Sequence, residues 1–214
     1  MQDKNNFPLF PLGIVLLPGM VMPLHIFEER YRKMVNKCTE NKEDFGMVYY
    51  SGDKMYDSGC SAEILEIIKT HPDGRMDILI EGKERFKINS TNSDELYLQG
   101  DISFFDDQYE LEGPSLEASK KEGILLLKEI ISLYDEKNNN VSFEEFDPKT
   151  VSFLLTSNSA FNMDEKQSFL EMINTKERLE KAVKSLKIIV ERIKVAYDIG
   201  AIIQSNGYLP KKHH

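Results

Sequence analysis

Side chains able to do acid–base, nucleophilic or metal chemistry are few in this chain and far apart. Of the 4 histidines, His25 follows a proline-broken apolar run, His71 opens a His-Pro-Asp-Gly stretch, and His213 and His214 close the chain. Histidine titrates near neutrality and is the commonest metal ligand, but its chemistry needs a partner. No sequence neighbour pairs with His25 or His71, so both read as structural. The terminal pair, either native or part of an affinity tag, is set aside from any metal argument. The 2 cysteines, Cys38 and Cys60, are too few for a four-thiolate site and lack Cys-x-x-Cys or His-x-x-x-His spacing. They read as free thiols. There is no Gly-x-x-x-x-Gly-Lys-Ser/Thr, no Gly-x-Ser-x-Gly and no His-Glu-x-x-His. Many serines and lysines are available for a Ser–Lys dyad, but nothing selects one pair. A calcium loop starting at Asp135 fails at three places. Lys137 takes a ligand position, Asn140 stands where the turn needs glycine, and Phe146 replaces the bidentate glutamate. Neither a cofactor nor a metal is expected.

The elements around these residues are better marked than the chemistry. Between Phe7 and Val35 four prolines, Pro8, Pro11, Pro18 and Pro23, interrupt short apolar runs. Proline removes a backbone donor and clashes with a preceding helical turn. The runs therefore read as short buried strands with sharp corners. FEERYRKMV then places Phe27, Tyr31, Met34 and Val35 on one side and Glu29, Arg30 and Lys33 on the other, an amphipathic helix. Phe45–Tyr50 reads as a strand and Ser51–Gly59 as a loop. Cys60–Lys69 and Met76–Glu81 form a hairpin about the His71–Gly74 turn, with Ala62, Ile64 and one of Ile67 or Ile68 inward. Gly82 breaks that strand, Glu84–Ile88 resumes it as a new strand or a bulged extension, and Leu96–Phe105 supplies another. Strands turning every ten residues or so point to a small closed or half-closed barrel.

An acidic stretch, Asp106–Pro114, marks a boundary, and beyond it the pattern is helical. Ser115 reads as an N-cap, and Gly123 inside the helix calls for close packing, since glycine there is about 1 kcal/mol worse than alanine. Asp147-Pro148 opens a second helix. Asn162 with Glu165 makes a capping box for a third. Thr175 caps the longest, with Leu179, Val183, Leu186, Ile189, Val190 and Ile193 in one apolar stripe and Gly200 as its stop. Two domains follow: residues 1–110, β-rich, and residues 111–214, a helical bundle.

Composition narrows the function. The chain has 214 residues, 41% hydrophobic and 29% charged, with a net charge of -9 and a pI near 5.1. Such a chain has no long-range attraction for nucleic acid or for an anionic membrane surface. Neither a signal peptide nor a run of about 18 apolar residues is present. A cytoplasmic location is expected. The acidic pairs Asp106-Asp107 and Glu144-Glu145 read as solvated faces.

Three stretches together resemble one family. They are FPLFPLGIVLLPGMVMPLHIFEERYRKMV, then GCSAEILEIIKTHPDGRMDILIEGKERFKI, then FLLTSNSAFNMDEKQSFLEMINTKERLEKAVKSL. Their order and motifs are similar to the substrate-binding amino-terminal domain of Lon-type ATP-dependent proteases, in the form of small standalone bacterial proteins. Glu29 departs from the usual proline and leaves the helix start less fixed. The resemblance implies an α+β fold: a six-stranded PUA-like pseudo-barrel with one helix, then a helical bundle ending in a long helix. It also implies a non-catalytic polypeptide-binding module without ATPase or peptidase domains. Unfolded or partly exposed polypeptides would be its partners, with a protease or chaperone nearby. Homo-oligomerisation is left open. Candidate contact residues are Met20, Met22 and Phe27 in an apolar groove, and Glu29, Arg30 and Lys33 on its rim. The alternatives are an RNA-binding PUA-like protein and an enzyme with an unrecognised site. Opposite charges in two of the motifs also suggest that Glu28 pairs with Arg85.

Overall fold

The computed structural model describes residues 3–108, 113–134 and 142–204. Asp135–Asn140 and Lys211–His214, on which the calcium and tag readings fall, lie outside them. The described residues form six strands and five helices, an α+β fold. The chain divides into two compact units, Met1–Leu111 with Thr156–Thr175, and Glu112–Leu155 with Lys176–His214.

The first unit is built on a mixed sheet. β1 (Asp3–Leu12) runs parallel to β3 (Phe45–Ser51) and antiparallel to β6 (Gln99–Phe105). β3 pairs with β4 (Lys54–Thr70), β4 with β5 (Met76–Asn92) and β5 with β6, all antiparallel. These five strands close into a ring. β2 (Val21–Ile26) lies outside it, antiparallel to Met76–Glu81 of β5, whereas β6 takes β5 from Arg85 onward. The edge of β5 opposite β4 thus changes partner around Gly82. At that switch the Gly82 amide donates to the Met20 carbonyl (3.0 Å), and the Gly19 amide donates to the Gly82 carbonyl (2.8 Å).

Several local expectations need correction. Pro8 and Pro11 sit inside one strand, not at corners. A proline forfeits only its own ladder donor, and Leu9 between them donates to the Leu98 carbonyl at 2.8 Å. Val15, Leu16 and Leu17 are buried, but outside any strand. The loop expected over Ser51–Gly59 shrinks to a turn at Gly52-Asp53, and β5 passes through Gly82 unbroken. β6 starts at Gln99 and leaves Leu96 exposed. Ile67 and Ile68 are exposed too, because the far half of β4 extends beyond its pairing with β3. The expected hairpin turn does form, with Gly74 at φ +84°, a conformation that glycine adopts without strain.

Phe7, Leu9, Val48, Phe86 and Ile102 make a tight apolar cluster inside the ring. Phe7, Phe86 and Phe104 meet edge to face, with centroids 5.8–6.5 Å apart. α1 (Glu29–Asn41) buries Tyr31, Met34, Val35 and Cys38, and the Tyr31 ring lies 4.2 Å from that of Phe10. Phe27, expected on this buried face, is 61% exposed instead, because it precedes the helix. The thiols of Cys38 and Cys60 are free and buried, and burial pushes Cys38 up to about 12.

α4 (Met163–Glu171) completes this unit, and its capping box is present: the Glu165 amide donates to Asn162 Oδ1 (2.9 Å) and the Asn162 amide donates to Glu165 Oε2 (2.9 Å). Replacing Asn162 by alanine is expected to lower stability by about 1 kcal/mol, read as a shifted urea midpoint at unchanged slope. An unchanged midpoint would show that packing alone fixes this helix.

In the second unit α2 (Pro114–Tyr134) begins one residue before Ser115. The Gly113 carbonyl accepts from Leu116 and Glu117, and Pro114 takes the first helical position, where its missing amide is harmless. The tight packing expected of Gly123 is present: a Cβ there would lie 2.5 Å from Leu155 Cδ1. α3 (Pro148–Thr156) is capped by Asp147, which accepts from the Thr150 amide at 3.0 Å. α5 (Thr175–Gln204) runs through Gly200 without stopping. Its buried Arg178 donates to Ser152 Oγ (2.7 Å) and stacks over the Phe153 ring (4.0 Å).

Candidate functional site

The candidate site lies where β1 ends, β2 passes and α1 begins. Phe10, Pro11, Leu12 and Ile14 form one wall of a groove of about 340 Å³. Residues Met22–Ile26 of β2 form the other, and Phe27, Glu28, Arg30 and Tyr31 close one end. The lining is mostly apolar because alternate residues of β2 face different ways: Leu24 and Ile26 are buried, whereas Val21, Pro23 and His25 are exposed. β2 is also an edge. Among the described residues it pairs with β5 alone. Pro23 lies on this edge strand, as strand prolines usually do.

The polar rim is internally paired. Arg30 donates from Nε to Glu28 Oε2 (2.8 Å), and its guanidinium lies over the Tyr31 ring at 4.5 Å. Glu28 therefore does not pair with Arg85, contrary to expectation. Arg85 is buried elsewhere, where it donates to the carbonyls of Leu170 (2.9 Å) and Met172 (2.6 Å) and to Asp107 (2.5 Å). Asp107 is accordingly a buried partner and not part of a solvated face. Glu28 is the N-cap residue of α1 but makes no side-chain capping bond.

Of the six candidate contact residues, Met22, Phe27 and Arg30 line the groove and Met20, Glu29 and Lys33 do not. Met20 is half-buried ahead of β2, its amide donating to the Leu17 carbonyl at 3.0 Å. Glu29 and Lys33 pair on the outer face of α1 (3.0 Å), and Lys33 holds the Glu29 carboxyl below its ordinary value. Groove residues missed from sequence include one whole wall, Phe10, Pro11, Leu12 and Ile14, and much of β2 besides. That wall's apolar run was visible, but not its place across from β2.

At the groove's margin a cluster corrects the reading of both histidines as partnerless. His25 Nδ1 donates to Asp77 Oδ1 (2.6 Å), and His71 Nε2 donates to Asp77 Oδ2 (2.8 Å). The bonds from His25 and then His71 hold the Asp77 carboxyl below its usual range. The arrangement follows from register, since His25 of β2 lies opposite Asp77 of β5 and His71 sits in the adjoining turn.

Two other hollows are less apolar. One of about 480 Å³ lies among Asp57, Lys87, Asn89, Phe105, Glu171 and Ile173, and one of about 250 Å³ among Lys42, Glu43, Asp44 and Glu63.

A closed barrel with one outlying edge strand, joined to a set of helices, defines the class as an α+β pseudo-barrel protein. The chain belongs to the family described as the ATP-dependent protease La (LON) substrate-binding domain, which matches residues 6–187. Lon protease 1 of Hydrogenovibrio crunogenus is 26% identical over 97% of this chain and 28% of its own length. A Lon protease of Cytophaga hutchinsonii is 29% identical over 83% of this chain and 24% of its own. The chain thus spans about a quarter of these curated relatives. The crystal structure of a Lon N-terminal domain protein from Xanthomonas campestris shares the fold, with a TM-score of 0.65, 22% identity, and coverage of 86% of this chain and 98% of that one. So does the N-terminal domain of the Mycobacterium avium complex Lon protease, with a TM-score of 0.69, 17% identity, and coverage of 87% and 98%. Among the described residues, no helix is long and apolar enough to cross a membrane.

Proposed function

We propose that the protein captures unfolded or partly exposed polypeptide segments in the groove beside β2, and that it does so without chemistry of its own. The observation that carries this reading is an apolar groove of about 340 Å³ running along a strand paired on one side only. An extended segment can add main-chain hydrogen bonds to such an edge while placing alternate side chains in the groove. Met22 gives the wall an adaptable surface, suited to clients of varied sequence. Phe27, largely exposed at the end, would be covered by a bound segment. The net charge of -9 supports polypeptide over nucleic acid as the partner. The relatives named as Lon proteases support a place in proteolysis; the proposed setting is the cytoplasm, with a protease or chaperone receiving the captured chain.

Fluorescently labelled unfolded casein tests the reading by anisotropy. Saturable binding is expected, together with a loss of about tenfold or more when Phe27 and Met22 are both replaced by aspartate, since burying one such side chain is worth about 1.5–3 kcal/mol. Equal retention of casein by the wild type and the double variant overturns the groove as the capture site.

A further inference from the structure

We infer that His25, His71 and Asp77 form a binding site for a divalent transition-metal ion of the zinc class. The donor atoms His25 Nδ1, His71 Nε2 and an Asp77 oxygen all lie within 4.8 Å of one another. Each of the two shortest separations, 2.6 and 2.8 Å, is bridged by an imidazole proton. A metal ion with bonds of about 2.0–2.2 Å in tetrahedral array needs donors a little over 3 Å apart. The Asp77 carboxylate and the two ring nitrogens therefore separate by roughly half an ångström, and each imidazole takes the neutral tautomer whose proton sits on its other ring nitrogen, His25 Nε2 or His71 Nδ1, which frees His25 Nδ1 and His71 Nε2 as donors. Two imidazoles with one carboxylate suit zinc, cobalt or nickel, whereas calcium and magnesium take oxygen donors.

The backbone beneath the three residues is already set. His25 and Asp77 are opposed across the β2–β5 ladder. The His71 turn is closed by its amide donating to the Arg75 carbonyl (2.8 Å), and by the Gly74 amide donating to the His71 carbonyl (2.9 Å). The side chains are 45%, 21% and 34% exposed for His25, His71 and Asp77, so an ion can enter and a water molecule can take the fourth position. A bound ion ties the edge strand to the hairpin tip, one at each side of Asp77. The inference rests on the donor geometry and stands apart from polypeptide capture, so either can fail alone.

The test uses cobalt(II) alone as the probe, on the full chain with His213→Ala and His214→Ala to remove the terminal pair. Visible absorption should show one saturable site with the intense bands of four-coordinate cobalt. His71→Ala and Asp77→Asn should each weaken binding by about 10–100-fold or more. Zinc(II) should compete the cobalt away. Circular dichroism identical to wild type confirms that these variants stay folded, and paramagnetic broadening of the His25 and His71 ring signals gives a second readout in the unsubstituted site. Absorption that remains that of hydrated cobalt overturns the inference, as does affinity unchanged by both substitutions.

Discussion

Replacing Arg85 by methionine should unfold the barrel unit more readily than any substitution on the groove. The guanidinium is 2% exposed and gathers the carbonyls of Leu170 and Met172 at the end of α4, together with the Asp107 carboxylate. A helix end leaves carbonyls without intrahelical partners, and a cation there satisfies them and complements the helix dipole. Arg85 also lies over the Phe105 ring at 4.7 Å. Methionine fills much of the volume but leaves a buried carboxylate and two carbonyls without this donor. Breaking such a pair from one side costs about 3–5 kcal/mol. Arg85→Lys should recover only part of the loss, because a point charge cannot reach acceptors fanned around a planar fork. Urea unfolding followed by far-ultraviolet circular dichroism reads the difference, since the chain has no tryptophan. A shift below about 1 kcal/mol for Arg85→Met would contradict this account of α4 docking.

Gly82→Ala should destabilise the same unit and also blunt the groove. A Cβ at Gly82 would lie 2.3 Å from the Leu17 carbonyl oxygen and 3.0 Å from Leu16 Cγ. The nearest obstacle is backbone, so it cannot swing aside as a side-chain end could. Leu16 and Leu17 are buried, so the segment leading to β2 has little room to retreat. Overpacking of this kind costs about 1–3 kcal/mol or more. Any relief must shift the path from Leu17 to Val21 and so move β2 relative to β5. Casein affinity should therefore fall at urea concentrations where the variant is still folded. Affinity equal to wild type would show that the edge strand is not part of the capture surface.

Both residues belong to the Gly-x-x-Arg-Phe stretch whose resemblance to the family was visible in the sequence. The sequence did not disclose why that spacing matters. Gly82 marks the change of partner along β5, Arg85 caps a helix 85 residues downstream, and Phe86 fills the core, roles set by distant contacts. Some local signals read correctly, although the Ser115 cap and the Gly200 stop did not. The Asn162–Glu165 box and the Asp147-Pro148 start involve only a few neighbours, and the helical spacing of Tyr31, Met34 and Val35 needs no partner to be seen. Phe27 misled because the same periodicity was carried past the helix start. The His25–Asp77–His71 cluster was invisible for another reason: it depends on the register of β2 against β5, 52 residues away. A shift of one residue would turn His25 to the other face. The groove itself was half legible, since its apolar runs were plain, but strand order decides which runs face each other.

Hydrogen exchange of the full chain, with and without saturating unfolded casein, tests the capture site most directly. The account predicts slowed exchange along β2, at Val21–Ile26, and at the start of α1. It predicts no such protection in the hollow beside Lys87, Phe105 and Ile173. Protection confined to that hollow, or a β2 edge exchanging equally with and without casein, would contradict it.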